Sequence, residues 1–362
     1  MRRSWLAPLV LMGLVRATSG AELPVAWGQV LEQPAAWYAS AHALRIADNV
    51  VCWQRDCGGW PKNEDMAAEL TDAQRQAIAA QHADTQATID NGATHTQLVL
   101  LARVQSAQPH DRLQAAFSRG LDYLLAAQYA NGGWPQFYPL RRGYYTHLTF
   151  NDDAMIGVMR LLQAVARGET PYAFVDAERR AKAAAALARG VDCLLACQVK
   201  VDGRLTAWCA QHDETTLAPA KARSYELVSL SGSETVPIVR FLMSLPKSPR
   251  VVAAVEGAVA WLESARLTGI RVEEYRDDAA PGGRDRRVVA DPAAPPLWAR
   301  FYEIGSNRPI FCDRDGIAKA SLAEIGHERR NGYAWYTDRP RDLLDKDLPA
   351  WRLRDDRTGR PE

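Results

Sequence analysis

A tryptophan-containing turn occurs twice in this sequence and sets the spacing of the segments around it. Gln54–Pro61 and Gln128–Pro135 both carry Gly-Gly-Trp-Pro behind a glutamine, and they begin 74 residues apart. The stretch Gly120–Gln128 matches Gly190–Gln198, 70 residues further on, and a weaker copy begins at Gly257. Similarity at a nearly fixed period indicates stacked units of one supersecondary type.

Each unit predicts a pair of helices. In the first helix Leu113, Phe117, Leu121 and Leu124 share one stripe, which is typical of a helix on the outside of a core. The second helix, exemplified by Ala154–Val165, is apolar almost all round and therefore belongs inside. Alternating outer and inner helices predict a mainly α fold, a partial α/α toroid of repeated helical hairpins.

The segments that precede the inner helices are unusually polar. Inner helices of a toroid run in one direction, so their N-termini share a face that is favourable for anions. The polar segments are Ile89–Thr96, Tyr144–Asp153, His212–Glu234 and a fourth before Ser321. Helix capping explains one such loop better than it explains four. We therefore expect a cleft with carboxylates on two walls and arginines on the others.

Two aspartates of these loops are candidates for chemistry. Asp90 and Asp152 lie 62 residues apart, and we interpret them as equivalent positions in adjacent units. Two carboxylates facing one cleft suit either glycoside hydrolysis or a hard cation such as Ca²⁺, with Asn91 and Asp153 as further oxygen donors. Simple N-capping by these residues remains the alternative.

Arginines of the later loops are candidates for binding carboxylated sugars. Arg300, Arg308 and Arg314 lie within 15 positions of one another, and guanidinium groups bind carboxylates with two hydrogen bonds. Their alternative role is a network with the neighbouring acidic residues. Arg223 is a fourth candidate, and it could instead pair with Glu226.

Composition limits the partners. The 362 residues are 47% hydrophobic with a formal net charge of +1, so nothing attracts the chain generally to nucleic acid or to an anionic membrane. Residues 1–21 read as a signal peptide, with Arg2 and Arg3 before an apolar run that is too short to span a bilayer. We expect a periplasmic or secreted protein that has no membrane span once residues 1–21 are removed.

The remaining sequence divides into a catalytic domain over residues 22–340 and a charged, loosely held C-terminal extension over 341–362. A charged segment rich in Gly and Pro predicts a long loop or hairpin at about 268–300. Six cysteines permit disulfides, with Cys52–Cys57 the easiest pair, but buried free thiols fit equally well. Their spacing does not suggest a zinc site.

Several motifs together resemble the pectate lyases of polysaccharide lyase family 10. The resemblance covers about residues 45–337 in order and rests on the segments Cys57–Asn63, Thr88–Thr94, Asn131–Pro139, Phe150–Met155, Asp202–Asp213, Ala222–Glu226 and Arg300–Phe311. It implies a toroid with a smaller, irregular or β-containing lid region. It also implies Ca²⁺-dependent β-elimination on α-1,4-polygalacturonate, which gives 4,5-unsaturated oligogalacturonates, by a protein that we expect to be a monomer.

The resemblance also implies roles for individual residues. Asp90 and Asp152 are the expected metal site, with Asn91 nearby for substrate. Arg223 is the expected base. Arg300 and Arg314 are the expected clamps on uronate carboxylates, and Arg308 is a further substrate residue. An arginine base needs alkaline pH or neighbouring cations, because its pKa exceeds about 12.

Three other functions stay open from the residues alone. A metal-independent uronan hydrolase could use Asp90 and Asp152 as acid and base. A non-catalytic carbohydrate-binding toroid could keep the arginines without cleaving the chain. The pattern Gln-x-x-x-Gly-x-Trp also occurs in terpenoid-cyclase-like toroids, but Asn151-Asp152-Asp153 is too short for their acidic motif.

Overall fold

The protein is mainly helical. The computed structural model describes residues 24–354, so the expected signal peptide lies outside the described residues. The helices are α1 (Ala41–Trp53), α2 (Asp72–Ala79), α3 (His95–Ala107), α4 (Asp111–Ala126), α5 (Ala154–Arg167), α6 (Ala177–Ala196), α7 (Thr235–Met243), α8 (Pro249–Ser264), α9 (His327–Gly332), α10 (Arg339–Asp342) and α11 (Leu348–Leu353).

Outer and inner helices alternate along the chain. The inner helices α3, α5 and α7 contact one another in sequence order, and each packs against its outer partner, α4, α6 or α8. The first outer helix, α1, packs on both α3 and α4. Helix α7 is buried along nearly its whole length, whereas α4 buries a single stripe, as the two hydrophobic patterns predict. The partial α/α toroid is therefore confirmed.

One tryptophan per unit closes an end of the toroid. Trp60, Trp134, Trp208 and Trp298 are fully buried. Each donates its indole N–H to a carbonyl near the end of an outer helix, and the acceptors are Val50, Leu124, Leu194 and Leu262 at 2.7–2.8 Å. These carbonyls otherwise lack a partner at a helix C-terminus, so the indole satisfies them. The fourth unit thus has a tryptophan that the weak repeat at Gly257 did not reveal.

The repeated glycine of the outer helix has a packing reason. A Cβ on Gly120 would lie 2.6 Å from the Trp60 ring, and one on Gly190 would lie 3.0 Å from the Trp134 ring. Whereas a Cβ on Gly257 would meet Leu205, the indoles of the first two units therefore pack against the glycine of the next outer helix. This contact links neighbouring units and explains why the glycine recurs with the same period as the tryptophan.

A smaller region of short strands covers one side of the toroid. Its core contains Phe301, Phe311, Leu322 and Trp335. The strands of the chain form antiparallel pairs. In sequence order they are β1 (Leu148–Thr149), β2 (Lys200–Val201), β3 (Arg204–Leu205), β4 (Gln211–His212), β5 (Leu230–Ser231), β6 (Ile270–Arg276), β7 (Arg284–Ala290), β8 (Trp298–Ala299), β9 (Phe301–Tyr302), β10 (Phe311–Cys312), β11 (Ala318–Lys319) and β12 (Tyr336–Thr337).

One segment of this region folds as its sequence predicts, and another does not. Strands β6 and β7 form a regular hairpin with Ile270 opposite Ala290, within the segment expected as a hairpin excursion. The fourth polar segment, before Ser321, does not lead into an inner helix. It leads into a short turn, Leu322–Glu324, and then α9. That expectation was wrong, because Leu322 joins the core of the smaller region instead.

The expected C-terminal extension is not loosely held over its described part. The chain from Arg339 to Leu353 is helical, and Leu343, Leu348 and Trp351 are buried against the main core. These apolar positions recur at helical spacing among charged residues, so the segment is amphipathic. Its high charge alone had suggested a loose extension. Residues 355–362 lie outside the described part.

All six cysteines are free thiols, so the alternative without disulfides holds, and Cys52 and Cys57 are not joined. Between residues 24 and 354, none of the helices combines the length and the hydrophobicity that crossing a membrane requires.

Candidate active site

A polar cleft lies where the segments before the inner helices meet. Its lining is almost wholly polar and includes three carboxylates and two cations. The lining residues are Lys62, Asp90, Asn91, Gln136, Tyr144, Asn151, Asp152, Gln211, Arg223 and Glu226. Four of the residues expected in the site therefore share one opening: Asp90, Asn91, Asp152 and Arg223.

Two tight turns present the acidic wall. Asp90–Gly92 and Asn151–Asp153 are 3₁₀ turns directly before α3 and α5. Asn91 has φ 51° and ψ 36°, and Asp152 has φ 49° and ψ 37°. Asn and Asp tolerate this left-handed conformation better than most residues, which accounts for their presence here.

This geometry corrects the alignment of the repeats. Asp152 is the structural equivalent of Asn91, and Asp90 corresponds to Asn151. The two aspartates are therefore not at equivalent positions. They occupy neighbouring positions in two copies of one turn, so each copy supplies one amide and one carboxylate to the cleft.

Asp90 is held by a cation. Its Oδ2 pairs with the ammonium of Lys62, while its Oδ1 is buried without a hydrogen-bond partner. The Lys62 side chain is 31% exposed, and the Asp90 side chain is 5% exposed. A buried carboxylate oxygen that lacks a donor is costly unless a cation or water reaches it.

Arg300 lies beneath the second turn. Its Nη2 donates to Glu234 Oε1 at 2.5 Å and to Asn151 Oδ1 at 2.8 Å, and it is 3.5 Å from Asp152 Oδ1. Burial raises the pKa of Asp152, and Arg300 opposes that shift. Arg300 is itself buried, so here it positions the acidic wall from below and does not face the open cleft.

Arg223 lines the same cleft and is fixed by Glu226. Its Nε donates to Glu226 Oε2 at 2.8 Å and its Nη2 donates to Oε1 at 2.5 Å. Tyr333 donates its hydroxyl to the same Oε1 at 2.8 Å. Burial lowers the pKa of Arg223, but the hydrogen-bonded Glu226 outweighs burial, so the pKa of Arg223 is raised overall. The pairing with Glu226 that the sequence left open is therefore present.

The other two arginines are placed differently from each other. Arg314 does not line the cleft: its guanidinium pairs with Glu328 at 3.2 and 2.9 Å and lies 5.8 Å from the centre of the Tyr225 ring, which Arg223 approaches to 5.2 Å. Arg308 is 76% exposed and pairs with Glu303 at 2.7 Å. It does not line the cleft, so the structure gives Arg308 the role of a surface ion pair.

Similarity to known proteins agrees with this architecture. The family model described as pectic acid lyase matches residues 54–344. The chain belongs to the pectic acid lyase family.

Two solved structures of family 10 polysaccharide lyase from Cellvibrio cellulosa also match. One is a mutant in complex with trigalacturonic acid, at 32% identity and TM-score 0.76, covering 89% of this chain and 95% of that one. The other, at 33% identity and TM-score 0.74, covers 88% of this chain and 97% of that one. The comparison with curated proteins finds no significant match. The family 10 resemblance and the enzyme class, a polysaccharide lyase, are confirmed.

Sequence reasoning missed several residues of this family 10 cleft. Lys62 and Gln136 each stand two positions after the repeated tryptophan, and both line the site. Aligning the repeats through the tryptophans could have found them. Glu234 could not have been found in this way, since its importance comes from Arg300, 66 residues further along the chain.

The acidic wall of this pectic acid lyase fits a hard cation. Carboxylate and amide oxygens from Asp90, Asn91 and Asp152 face one cleft, and the Oδ1 of Asp90 lacks a partner. Ca²⁺ prefers such oxygen donors and takes six to eight of them. The side chains present supply fewer, so water or substrate must complete the coordination.

Proposed function

We propose that this protein is a pectate lyase that cleaves α-1,4-linked polygalacturonate by β-elimination, with Ca²⁺ as its cofactor. The observation that carries the proposal is one cleft that combines a carboxylate wall with a fixed arginine. The related enzyme bound to trigalacturonic acid supports a galacturonate substrate. The product is an oligogalacturonate with a 4,5-unsaturated end.

Residues of the cleft have different tasks. Asp90, Asn91 and Asp152 would hold the cation beside a uronate carboxylate. Bound Ca²⁺ supplies positive charge that makes the C5 proton, which is α to that carboxylate, more acidic. Arg300 keeps Asp152 and Asn151 in place through its fixed Nη2. Arg314 would have to leave Glu328 to bind a neighbouring uronate.

Arg223 is the proposed base. Glu226 holds its Nε and Nη2, so Nη1 is the nitrogen left for substrate. The neutral guanidine takes the C5 proton, the C5–H electron pair forms the C4=C5 double bond, and the C4–O bond breaks. The leaving oxygen takes a proton from solvent. Since Glu226 raises the pKa of Arg223, the neutral form is scarce, and activity must increase with alkaline pH.

One incubation tests the reaction. Purified protein is mixed with polygalacturonate and either Ca²⁺ or a chelator, and ultraviolet absorbance is followed. Elimination creates a double bond conjugated with the carboxylate, whereas hydrolysis does not. We expect absorbance to rise with Ca²⁺ and to stop with the chelator. New reducing ends without absorbance would indicate the hydrolase, and an intact polymer would indicate a binding protein.

The cellular location and the oligomeric state are also part of the proposal. Arg2, Arg3 and the apolar run Trp5–Val15 are typical of a signal peptide, which supports a periplasmic or secreted protein that meets pectin outside the cytoplasm. We also propose that the protein is a monomer. Fractionation of cells that produce the full chain, with N-terminal sequencing of the product, tests the location. Sedimentation of the purified protein tests the monomer.

A further inference from the structure

A loop beside the cleft carries two arginines that the reaction does not use. The loop runs from Gln136 to Thr146 and is anchored at both ends. The backbone N–H of Gln136 donates to the Tyr145 carbonyl at 3.0 Å, and Tyr129 donates its hydroxyl to the Thr146 carbonyl at 2.8 Å. The loop between these anchors is therefore held in a defined position against the toroid.

Arg141 and Arg142 are exposed on this loop. The Arg141 guanidinium stands 4.4 Å from the Tyr145 ring centre and 5.3 Å from that of Phe137. Within residues 24–354 neither arginine pairs with a carboxylate, unlike Arg223, Arg300, Arg308 and Arg314. The loop thus presents two positive charges that no acidic side chain offsets, and stacking restricts the movement of one of them.

These cations lie next to residues of the cleft. The Lys62 ammonium, which pairs with Asp90, lies 5.8 Å from the centre of the same Phe137 ring that Arg141 covers. Tyr144 lines the cleft, and the centre of its ring lies 4.1 Å from that of Tyr145. A path of cations and aromatic faces therefore leads from the acidic wall to the two arginines.

We propose that Arg141 and Arg142 form an additional subsite, which binds carboxylates of a polyuronate chain beyond the sugar held at the acidic wall. The inference rests on the proposed function, since it takes the same substrate. A polyuronate carries one carboxylate per sugar, and guanidinium groups bind carboxylates with charge-assisted hydrogen bonds. Tyr144, which lines the cleft, offers an aromatic ring on which an intervening sugar can pack.

This subsite makes cleavage depend on chain length. A short oligomer that fills only the cleft does not reach the two arginines, whereas a longer chain gains their contacts in addition. The subsite therefore increases kcat/KM for long chains and leaves the shortest cleaved oligomer nearly unaffected. Because the arginines are exposed, salt must weaken their contribution.

The test compares Arg142→Gln and the double variant Arg141→Gln/Arg142→Gln with the wild type. We expect the double variant to lose about tenfold in kcat/KM on polygalacturonate and less than about twofold on the shortest cleaved oligomer. Arg142→Gln alone shows a smaller loss of the same kind. This single variant keeps the test valid if loss of Arg141 stacking unfolds the loop, because Arg142 is exposed and, among the described residues, stacks on no ring.

Arg167→Gln is the matched control. Arg167 is exposed and unpaired among the described residues, and it ends α5, about 20 Å along the helix from the cleft at its start. It must behave as wild type on every substrate. Equal losses at all chain lengths, or no loss on the polymer, would overturn the subsite.

A binding measurement separates this inference from the proposed function. Retardation of the protein in gels that contain polygalacturonate needs no turnover. If the wild type forms no unsaturated product, the function fails, but weaker retardation of the two variants still supports the subsite. If the wild type does cleave and all variants migrate and react alike, the subsite alone is wrong.

Discussion

Arg223 and Glu226, three positions apart, face each other with two parallel hydrogen bonds, from Nε at 2.8 Å and from Nη2 at 2.5 Å. A pairing of this kind fixes the plane of the guanidinium and leaves Nη1 for substrate. It also stabilises the protonated guanidinium, although the proposed base must be deprotonated before it can accept a proton. The same contact therefore orients Arg223 and shifts its activity as a base to alkaline pH.

Glu226→Gln should shift the pH dependence of turnover. Glu226 raises the pKa of Arg223, so replacing it with a neutral amide lowers that pKa and makes the neutral base available at lower pH. We expect the rising limb of kcat against pH to move about one unit or more towards neutral pH, with a lower maximum because orientation is weakened. Glu303→Gln, at the exposed pair with Arg308, is the control and should leave the profile in place. An unshifted limb in the Glu226 variant would remove Arg223 as the titrating base.

Arg223→Ala should abolish turnover without abolishing binding. Loss of a general base costs about 10²–10⁴-fold in kcat. Binding survives because Asp90, Asp152 and Lys62 in the cleft are untouched. Initial rates on polygalacturonate, with gel retardation for binding, measure the two effects. Arg308→Ala, at a side chain 76% exposed and outside the cleft, should stay within about twofold of the wild type. Substantial turnover by the Arg223 variant would assign the base elsewhere.

Lys62→Met should strengthen cation binding. The Lys62 ammonium neutralises Asp90 and occupies its Oδ2, so it competes with a divalent ion for that carboxylate. The pair is partly exposed, which limits the gain to about two- to fivefold in the Ca²⁺ dissociation constant. Ca²⁺ titration of the melting temperature measures it, without substrate. Lys200→Met, at an exposed lysine of β2, is the control. Weaker or unchanged Ca²⁺ binding by the Lys62 variant would mean that Lys62 does not compete for Asp90.

Trp134→Phe should lower stability. Trp134 is fully buried and donates its indole N–H to the Leu124 carbonyl at 2.8 Å. Phenylalanine leaves that carbonyl without a donor and leaves space next to Gly190, at a cost of about 2–4 kcal/mol in the free energy of unfolding. Urea unfolding measures the change. Trp27→Phe, at a partly exposed indole, should cost less than about 1 kcal/mol.

Much of the toroid could be predicted because its signals are local and repeated. The stripe of Leu113, Phe117 and Leu121 identifies an outer helix without any knowledge of its partner. The smaller region has no such period. Its strands are mostly two residues long, and they are defined by partners such as Leu230 with Tyr302, far apart along the chain. Short strands of this kind leave too little pattern to predict.

The candidate site divides in the same way. Asp90, Asp152 and Arg223 stand in polar loops whose position follows from the helix order, and they do share the cleft. Arg300 was expected to contact substrate, but its Nη2 is bound to Glu234 and Asn151. Arg308 was expected in the site and lies outside it. Closeness of the arginines along the chain did not determine where their side chains point, because the turns between them set those directions.

The sequence by itself determined the repeated helical hairpins and the end of the toroid at which the polar loops gather, because periodic apolar residues and turn residues act through near neighbours. Only the tertiary structure decided that Asn91 and Asp152 occupy equivalent positions in the two turns. It also decided which arginine lines the cleft, and that Lys62 reaches Asp90. Those relationships depend on side-chain directions across separate units. No local pattern specifies them until the units are packed together.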